Sequence, residues 1–420
     1  MVDAPASDTD EPEHPGSERH ASWAELFFDL VAVAGVAALA QVLGSGLDGA
    51  ALGLYALLFL TFWLSWTTFM LYSNVAAGRT HVLRLLTGMF GLGVMAASVP
   101  DVAHTVLADG RSTLPLTVFT VAYIATRIYG SHSWQRGELL VDFPVAQYTV
   151  GLLPWFVSIW IGEPWKLALW AVGIGLDLLL VLVFSGSKLL DQAQARRTGK
   201  GPVIRGVSVD PDLLSERLGL FVIIVLGESV VEIVEAASDT RFSVGLLATG
   251  LASFVLLAGM FGLSVVFGYA GLPHLRPGRI PIRAALGLHC LVTAVVATVA
   301  VSLSAVVRHG SDPLSGPGRW LLCGAIAAYF ALGVVTGVAS HSSDRQRTIS
   351  RVITGVAVPL LLGLFATGVS GRMLVVYLAL VILAHLWFEQ HLAPVQSPAE
   401  LSAQCEQAMG QPAAAGPAIA

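Results

Sequence analysis

Residues 216–236 read ERLGLFVIIVLGESVVEIVEA. As a helix rising 1.5 Å per residue, a run of this length covers about 30 Å, the thickness of a bilayer's hydrocarbon core. Its apolar face is interrupted only by Glu228, Glu232 and Glu235. Their i, i+4, i+7 spacing places them on one side of a helix. Counted from Glu216, Glu228 lies roughly 18 Å in, near the midplane, and Glu235 reaches the far interface. The stretch reads as a membrane-spanning helix that turns one acidic stripe away from lipid.

The rest of the chain fits that reading. Of its 420 residues 55 % are hydrophobic and 12 % charged, with a mean hydropathy of +0.74. A water-soluble domain carries about a quarter charged residues, roughly twice this content. With a net charge of -5 and no basic patch, the chain has no surface for nucleic acid. Cys290, Cys323 and Cys405 are far apart and form no CxxC, so no metal site or disulfide framework is expected. The first twenty residues are acidic and contain proline, unlike a signal peptide.

Twelve apolar runs of helical length follow one another, at about 23–43, 50–72, 82–100, 114–130, 143–161, 165–184, 216–236, 244–268, 283–306, 319–340, 350–369 and 372–390. A transmembrane barrel would need alternating segments of about ten residues instead. The expected fold is all-α transmembrane, with about twelve membrane-spanning helices in two six-helix repeats of parallel orientation. Prolines at 100, 144, 154 and 164 make the third, fifth and sixth boundaries the weakest. With the N-terminus inside, seventeen of the 23 Lys and Arg residues fall on the cytoplasmic side and six on the other. An inner-membrane protein with both termini cytoplasmic is therefore expected. The domain reading is an acidic tail at 1–22 expected to be disordered, a first repeat at 23–184, a basic cytoplasmic linker at 185–215, a second repeat at 216–391, and a disordered tail at 392–420.

Ionisable groups inside the spans are costly and so informative. Glu25 and Asp29 share a helix face near the start of the first span, and Asp177 sits mid-span among apolar neighbours in GIGLDLLLV. With Glu228 and His289 they are the candidate solute or ion pathway. Arg84 and Arg127, the most embedded cations, are expected ion-pair partners for Glu25 and Asp29. His385 and Glu389 form an i, i+4 pair near the end of the last span. His289 and His385 also read as packing residues. Trp63, Trp66, Trp155, Trp160, Trp165, Trp170 and Trp320 fall near span ends and read as interfacial anchors. The close glycines Gly88, Gly91, Gly93, Gly173, Gly175, Gly259 and Gly262 permit tight helix approach.

Two segments carry a family resemblance. Trp23, Glu25, Phe27, Phe28 and Asp29, following Arg19-His20, resemble the first-span signature of the low temperature requirement A (LtrA) family of bacterial membrane proteins. Glu216, Arg217, Gly219, Phe221, Gly227, Glu228 and Ser229 resemble its second signature, and His289, at the head of the ninth run, matches a histidine the family often has at that place. Pro211 to Ser215 lacks the histidine expected ahead of the Glu-Arg pair. The resemblance implies a multi-pass protein linked to growth at low temperature, without naming a substrate. A looser likeness of Phe28-Asp29 is to lysosomal-type potassium channels built from two six-span repeats.

No HExxH, GxSxG, P-loop or GxGxxG motif is present, so the chain is not expected to be an enzyme, and no cofactor is implied. The leading expectation is a transporter of a small solute or ion, proton-coupled through Glu228. The alternatives are a membrane sensor or scaffold, a cation channel, or a lipid-acting enzyme. Expected partners are the bilayer, the unidentified solute or ion, and a second copy in a homo-oligomer.

Overall fold

The sequence Ser22-Trp-Ala-Glu25 starts the first helix as a capping box. The Ser22 amide donates to Glu25 Oε2 at 2.8 Å and the Glu25 amide donates to Ser22 Oγ at 3.4 Å. The structure, a computed structural model, describes residues 20–44, 47–76, 82–108, 112–132, 138–183, 205–266, 281–339 and 345–392. The acidic tail before residue 20, residues 185–204 of the expected linker, the tail after 392 and Cys405 lie outside the described residues.

The helices of the first half are α1 (Trp23–Ala38), α2 (Ala40–Gly44), α3 (Gly49–Ala76), α4 (Val82–Leu107), α5 (Leu114–Ser131), α6 (Leu152–Ser158) and α7 (Trp165–Val183). Those of the second are α8 (Pro211–Ser238), α9 (Val244–Phe261), α10 (Ile282–His309), α11 (Gly316–Ala339), α12 (Arg345–Phe365) and α13 (Gly371–Leu392). Among the described residues seven helices are long and apolar enough to cross a membrane: α3, α4, α9 with its π-helical extension, α10, α11, α12 and α13. The α8 helix is as long as α3, but Glu228, Glu232 and Glu235 interrupt its apolar stretch. The α1 helix is short because the chain turns at Leu39 before α2.

The expected span at 143–161 is not one helix. Pro144 opens a 3₁₀ turn, Pro144–Ala146, and α6 begins only after Gly151. Two short segments, β1 (Glu138–Leu140) and β2 (Arg205–Val207), pair in parallel, with Glu138 opposite Arg205 and Leu140 opposite Val207. This small sheet departs from the all-α expectation and ties the start of the broken segment to the chain entering α8. Asp210 caps α8 by accepting from the Asp212 and Leu213 amides, with Pro211 in the first turn. The helix carrying Glu216 thus begins five residues before it. In α12, a π turn at Arg351–Ala357 precedes Pro359, whose missing N–H and ring disfavour regular helix there.

Helices α3 and α10 form the centre. Of their most apolar stretches 83 % and 72 % are buried, against 39 % for α4, α9 and α13, which leave much of their apolar surface to lipid. In each half the first helix packs on the third from the same end of that half's long helices: α1 on α4, and α8 on α10. The third then packs on the next, α4 on α5 and α10 on α11. The two first helices, α1 and α8, meet each other between the halves.

The tryptophans divide differently from the expectation. Trp160, Trp165 and Trp320 are exposed, as anchors would be, but Trp63, Trp66, Trp155 and Trp170 are core residues. Trp155 and Trp170 stack with ring centroids 4.6 Å apart, and the Trp170 indole donates to Ser158 Oγ at 3.1 Å. Proximity to a span end placed them at the interface; their helices instead present them inward, where the indoles of Trp63, Trp66 and Trp170 donate to His289, Asp29 and Ser158.

Candidate functional site

The capping box sets Glu25 in the first turn of α1, and Asp29 follows one turn later on the same face. Both are buried, and both meet Arg217 from the second turn of α8. Arg217 Nη2 donates to Asp29 Oδ1 at 2.6 Å and Nε donates to Oδ2 at 3.3 Å, a bidentate pair. Arg217 Nη1 donates to Ser73 Oγ at 2.5 Å and lies 3.7 Å from Glu25 Oε1. The Trp66 indole completes Asp29 by donating to Oδ1 at 2.7 Å. Beside it Asn74 and the Asp210 backbone exchange hydrogen bonds of 2.8 and 3.1 Å, fixing the end of α3 to the start of α8.

Arg217 therefore takes the place expected for Arg84 or Arg127. Arg84 donates to Tyr72 Oη at 3.0 Å and lies over its ring. Arg127 is buried beside Asp177, with Nη2 3.1 Å from Oδ2, and also donates to Thr68 Oγ1 and, at 3.3 Å, to the Val145 carbonyl. Asp177 accepts from the Gly151 amide at 3.0 Å. The broken segment explains this: non-helical backbone at membrane depth needs side chains to satisfy it. The Arg127–Asp177 pair supplies one donor and one acceptor to residues 145 and 151, which makes Asp177 a support for the fold.

His289 sits in an aromatic layer just beyond the cluster. Its ring lies 5.3 Å from that of Trp66 and 5.4 Å from that of Phe221, while Trp66 and Phe221 are 4.2 Å apart. The Trp63 indole donates to His289 Nδ1 at 3.4 Å. Where α12 meets α13, Glu389 accepts from Arg351 Nη2 at 2.9 Å and lies 3.3 Å from Arg347 Nε, and His385 Nε2 lies 2.9 Å from Thr354 Oγ1 of the π turn.

Past the aromatic layer, residues of both α1 and α8 line a cavity of about 780 Å³. One wall is the acidic stripe Glu228, Glu232 and Glu235; opposite it lie Ala34, Ala37 and Ala38 of α1. Arg308 and His309, exposed at the end of α10, stand at its mouth, where Arg308 reaches Asp239 at 3.7 Å. Among the described residues no ion pair closes on any of the three glutamates, and Glu232 Oε2 is a buried oxygen without a hydrogen-bond partner. A smaller cavity below joins Glu228 and Glu232 to Tyr55 and Ser229. Tyr55, Arg308 and His309 escaped the sequence reading because each comes from another helix. Among the described residues no cluster of His, Cys, Asp and Glu could hold a metal ion.

Of the expected pathway residues, the structure brings Glu25 and Asp29 together at Arg217, sets His289 against Trp66 and Phe221 beside them, leaves Glu228 on the cavity, and pairs Asp177 with Arg127. Of the expected signature residues, Glu216 faces His20 at 3.4 Å, Phe28 and Ser229 are buried, and Trp23 and Phe27 are exposed. No other group lies near an added Cβ at Gly227.

The family model described as bacterial low temperature requirement A protein (LtrA) matches residues 20–383. That region runs from before α1 into α13 and includes both halves of the Arg217–Asp29 pair. An uncharacterized protein of Rhizobium meliloti (strain 1021) is 26 % identical over 230 residues, or 51 % of this chain and 50 % of its own length. The chain thus spans about half the length of that curated relative. No solved structure matches the chain.

Proposed function

The chain belongs to the LtrA family of multi-pass membrane proteins, and we propose that it moves a small solute or ion across the inner membrane through the cavity between α1 and α8. The observation that carries this is the acidic stripe of α8 on a cavity of about 780 Å³, with no ion pair on any of its three glutamates among the described residues. A charged group within a spanning helix is costly unless paired or hydrated, so its default reading is a substrate or ion pathway. The volume lies within the range of small-molecule sites, and the walls are mostly small and apolar with a few convergent polar groups. Glu228, half-buried and deepest along the stripe from the mouth, is the group we assign to proton coupling.

Twelve crossings in a six-plus-six arrangement accompany this reading. The shared order of packing, first helix on third and third on next, supports a parallel duplication. The bias of Lys and Arg supports cytoplasmic termini, which puts the Arg217 cluster on the cytoplasmic side and the cavity mouth on the other. Growth at low temperature, named in the family's description, is the condition under which we expect the transport to matter.

The test is capacitive current from reconstituted protein on a solid-supported membrane, challenged with monovalent cations, protons, amino acids and organic amines. The expected result is a substrate-dependent transient absent from protein-free liposomes. A protein that is folded, and silent to all of them at every pH and potential, would count against the transport reading.

A further inference from the structure

We propose that the Arg217, Asp29 and Glu25 cluster is the cytoplasmic gate of this cavity, shut in the present structure and opened when α1 and α8 part. The inference rests on the transport reading for the cavity's use.

The geometry places lock and cavity on the same two helices. Along α1, Ala37 follows Asp29 by eight residues, about 12 Å; along α8, Glu228 follows Arg217 by eleven, about 16 Å. At one end the helices are joined by the bidentate pair; further along, residues of both line the cavity. Between lie Trp66, Phe221 and His289, with ring centroids 4.2 to 5.4 Å apart and every ring buried. A solute in the cavity therefore meets an apolar plug and then three buried charges before the cytoplasm.

The chemistry suits a contact that must come apart. A buried ion pair regains about what its desolvation costs, so it favours one arrangement of two helices without adding much net stability. Each partner here has somewhere to go. Glu25 Oε2 remains bonded to the Ser22 amide, Arg217 Nη1 to Ser73, and Asp29 Oδ1 to the Trp66 indole. Separation of α1 from α8 thus breaks the charge pair while leaving each charge one polar neighbour. Trp66 links lock and plug, because the same ring donates to Asp29 and stacks on His289.

The experiment uses the full chain with its cysteines replaced by Ala and one reporter, Ala37→Cys, in the cavity wall. Right-side-out and everted membrane vesicles are treated with a membrane-impermeant sulfonated maleimide. The reporter should react from the outside only. Arg217→Gln or Asp29→Asn should raise its rate from the cytoplasmic side by roughly a hundred-fold, as expected when a contact of this kind stops biasing a two-state equilibrium. Arg217→Lys should restore most of the one-sidedness. Trp66→Phe, which keeps every charge, should produce a smaller rise and covers the case in which the charge variants fail to insert. A wild-type reporter reached from the cytoplasm, or no rise in any inserted variant, overturns the gate. Labelling needs no substrate, so a protein that moves nothing would refute the transport reading while the labelling still decides the gate.

Discussion

Arg217 Nη2 lies 2.6 Å from Asp29 Oδ1, joining residues 188 positions apart and the first helices of the two halves. Neither side chain is exposed. Removing one partner strands the other charge in a dry interior, which costs about 3–5 kcal/mol. Arg217→Gln and Asp29→Asn should each lower stability by about that amount, and the double variant should lose much less than the sum. Unfolding by sodium dodecyl sulfate titration in mixed micelles measures all four members of the cycle. Additive losses would mean that the two groups do not interact.

The Arg127–Asp177 pair supports backbone. Arg127→Ala leaves the Val145 carbonyl short of a donor, and Asp177→Ala leaves the Gly151 amide short of an acceptor. Each unsatisfied buried group costs roughly 1–3 kcal/mol. Amide hydrogen exchange should rise locally across residues 141–151 in both variants and stay unchanged there in Glu228→Gln. Exchange spread evenly over the molecule would contradict the local role.

Two glycines a short distance apart should answer to opposite rules. A Cβ at Gly173 would collide with the Gly151 carbonyl and the Trp155 ring, whereas one at Gly175 meets nothing within 4 Å. Gly173→Ala should destabilise by about 1–3 kcal/mol through overpacking. Gly175→Ala should be neutral or stabilising by up to about 1 kcal/mol, the helical preference of Ala over Gly. Thermal unfolding in detergent separates the two.

Much of the architecture was legible because lipid imposes a simple rule: helix-length apolar runs mark spans, and acids inside them mark places kept from lipid. Glu25, Asp29 and Glu228 stood out for that reason. Composition says nothing about which helices touch, so Arg217, near a predicted span end, was passed over as a partner in favour of the deeper Arg84 and Arg127. The signal for the first turn was present in Ser22-x-x-Glu25, a capping box that fixes Glu25. Pro144 and Gly151 similarly announced a break that an apolar run concealed. The cavity itself was not legible, since its walls come from five helices and the sequence displays only one acidic stripe.

If the α8 acids serve solute movement, Glu228→Gln should uncouple it, because the change preserves size and removes only the charge. Proteoliposomes holding wild-type or variant protein, loaded with a pH-sensitive dye, are given the substrate that produces current in the wild type. We predict that substrate-driven proton movement falls at least about ten-fold in the variant, equivalent to about 1.4 kcal/mol on the coupled step, while unfolding stability is unchanged. Proton movement equal to wild type in the folded variant would contradict the account.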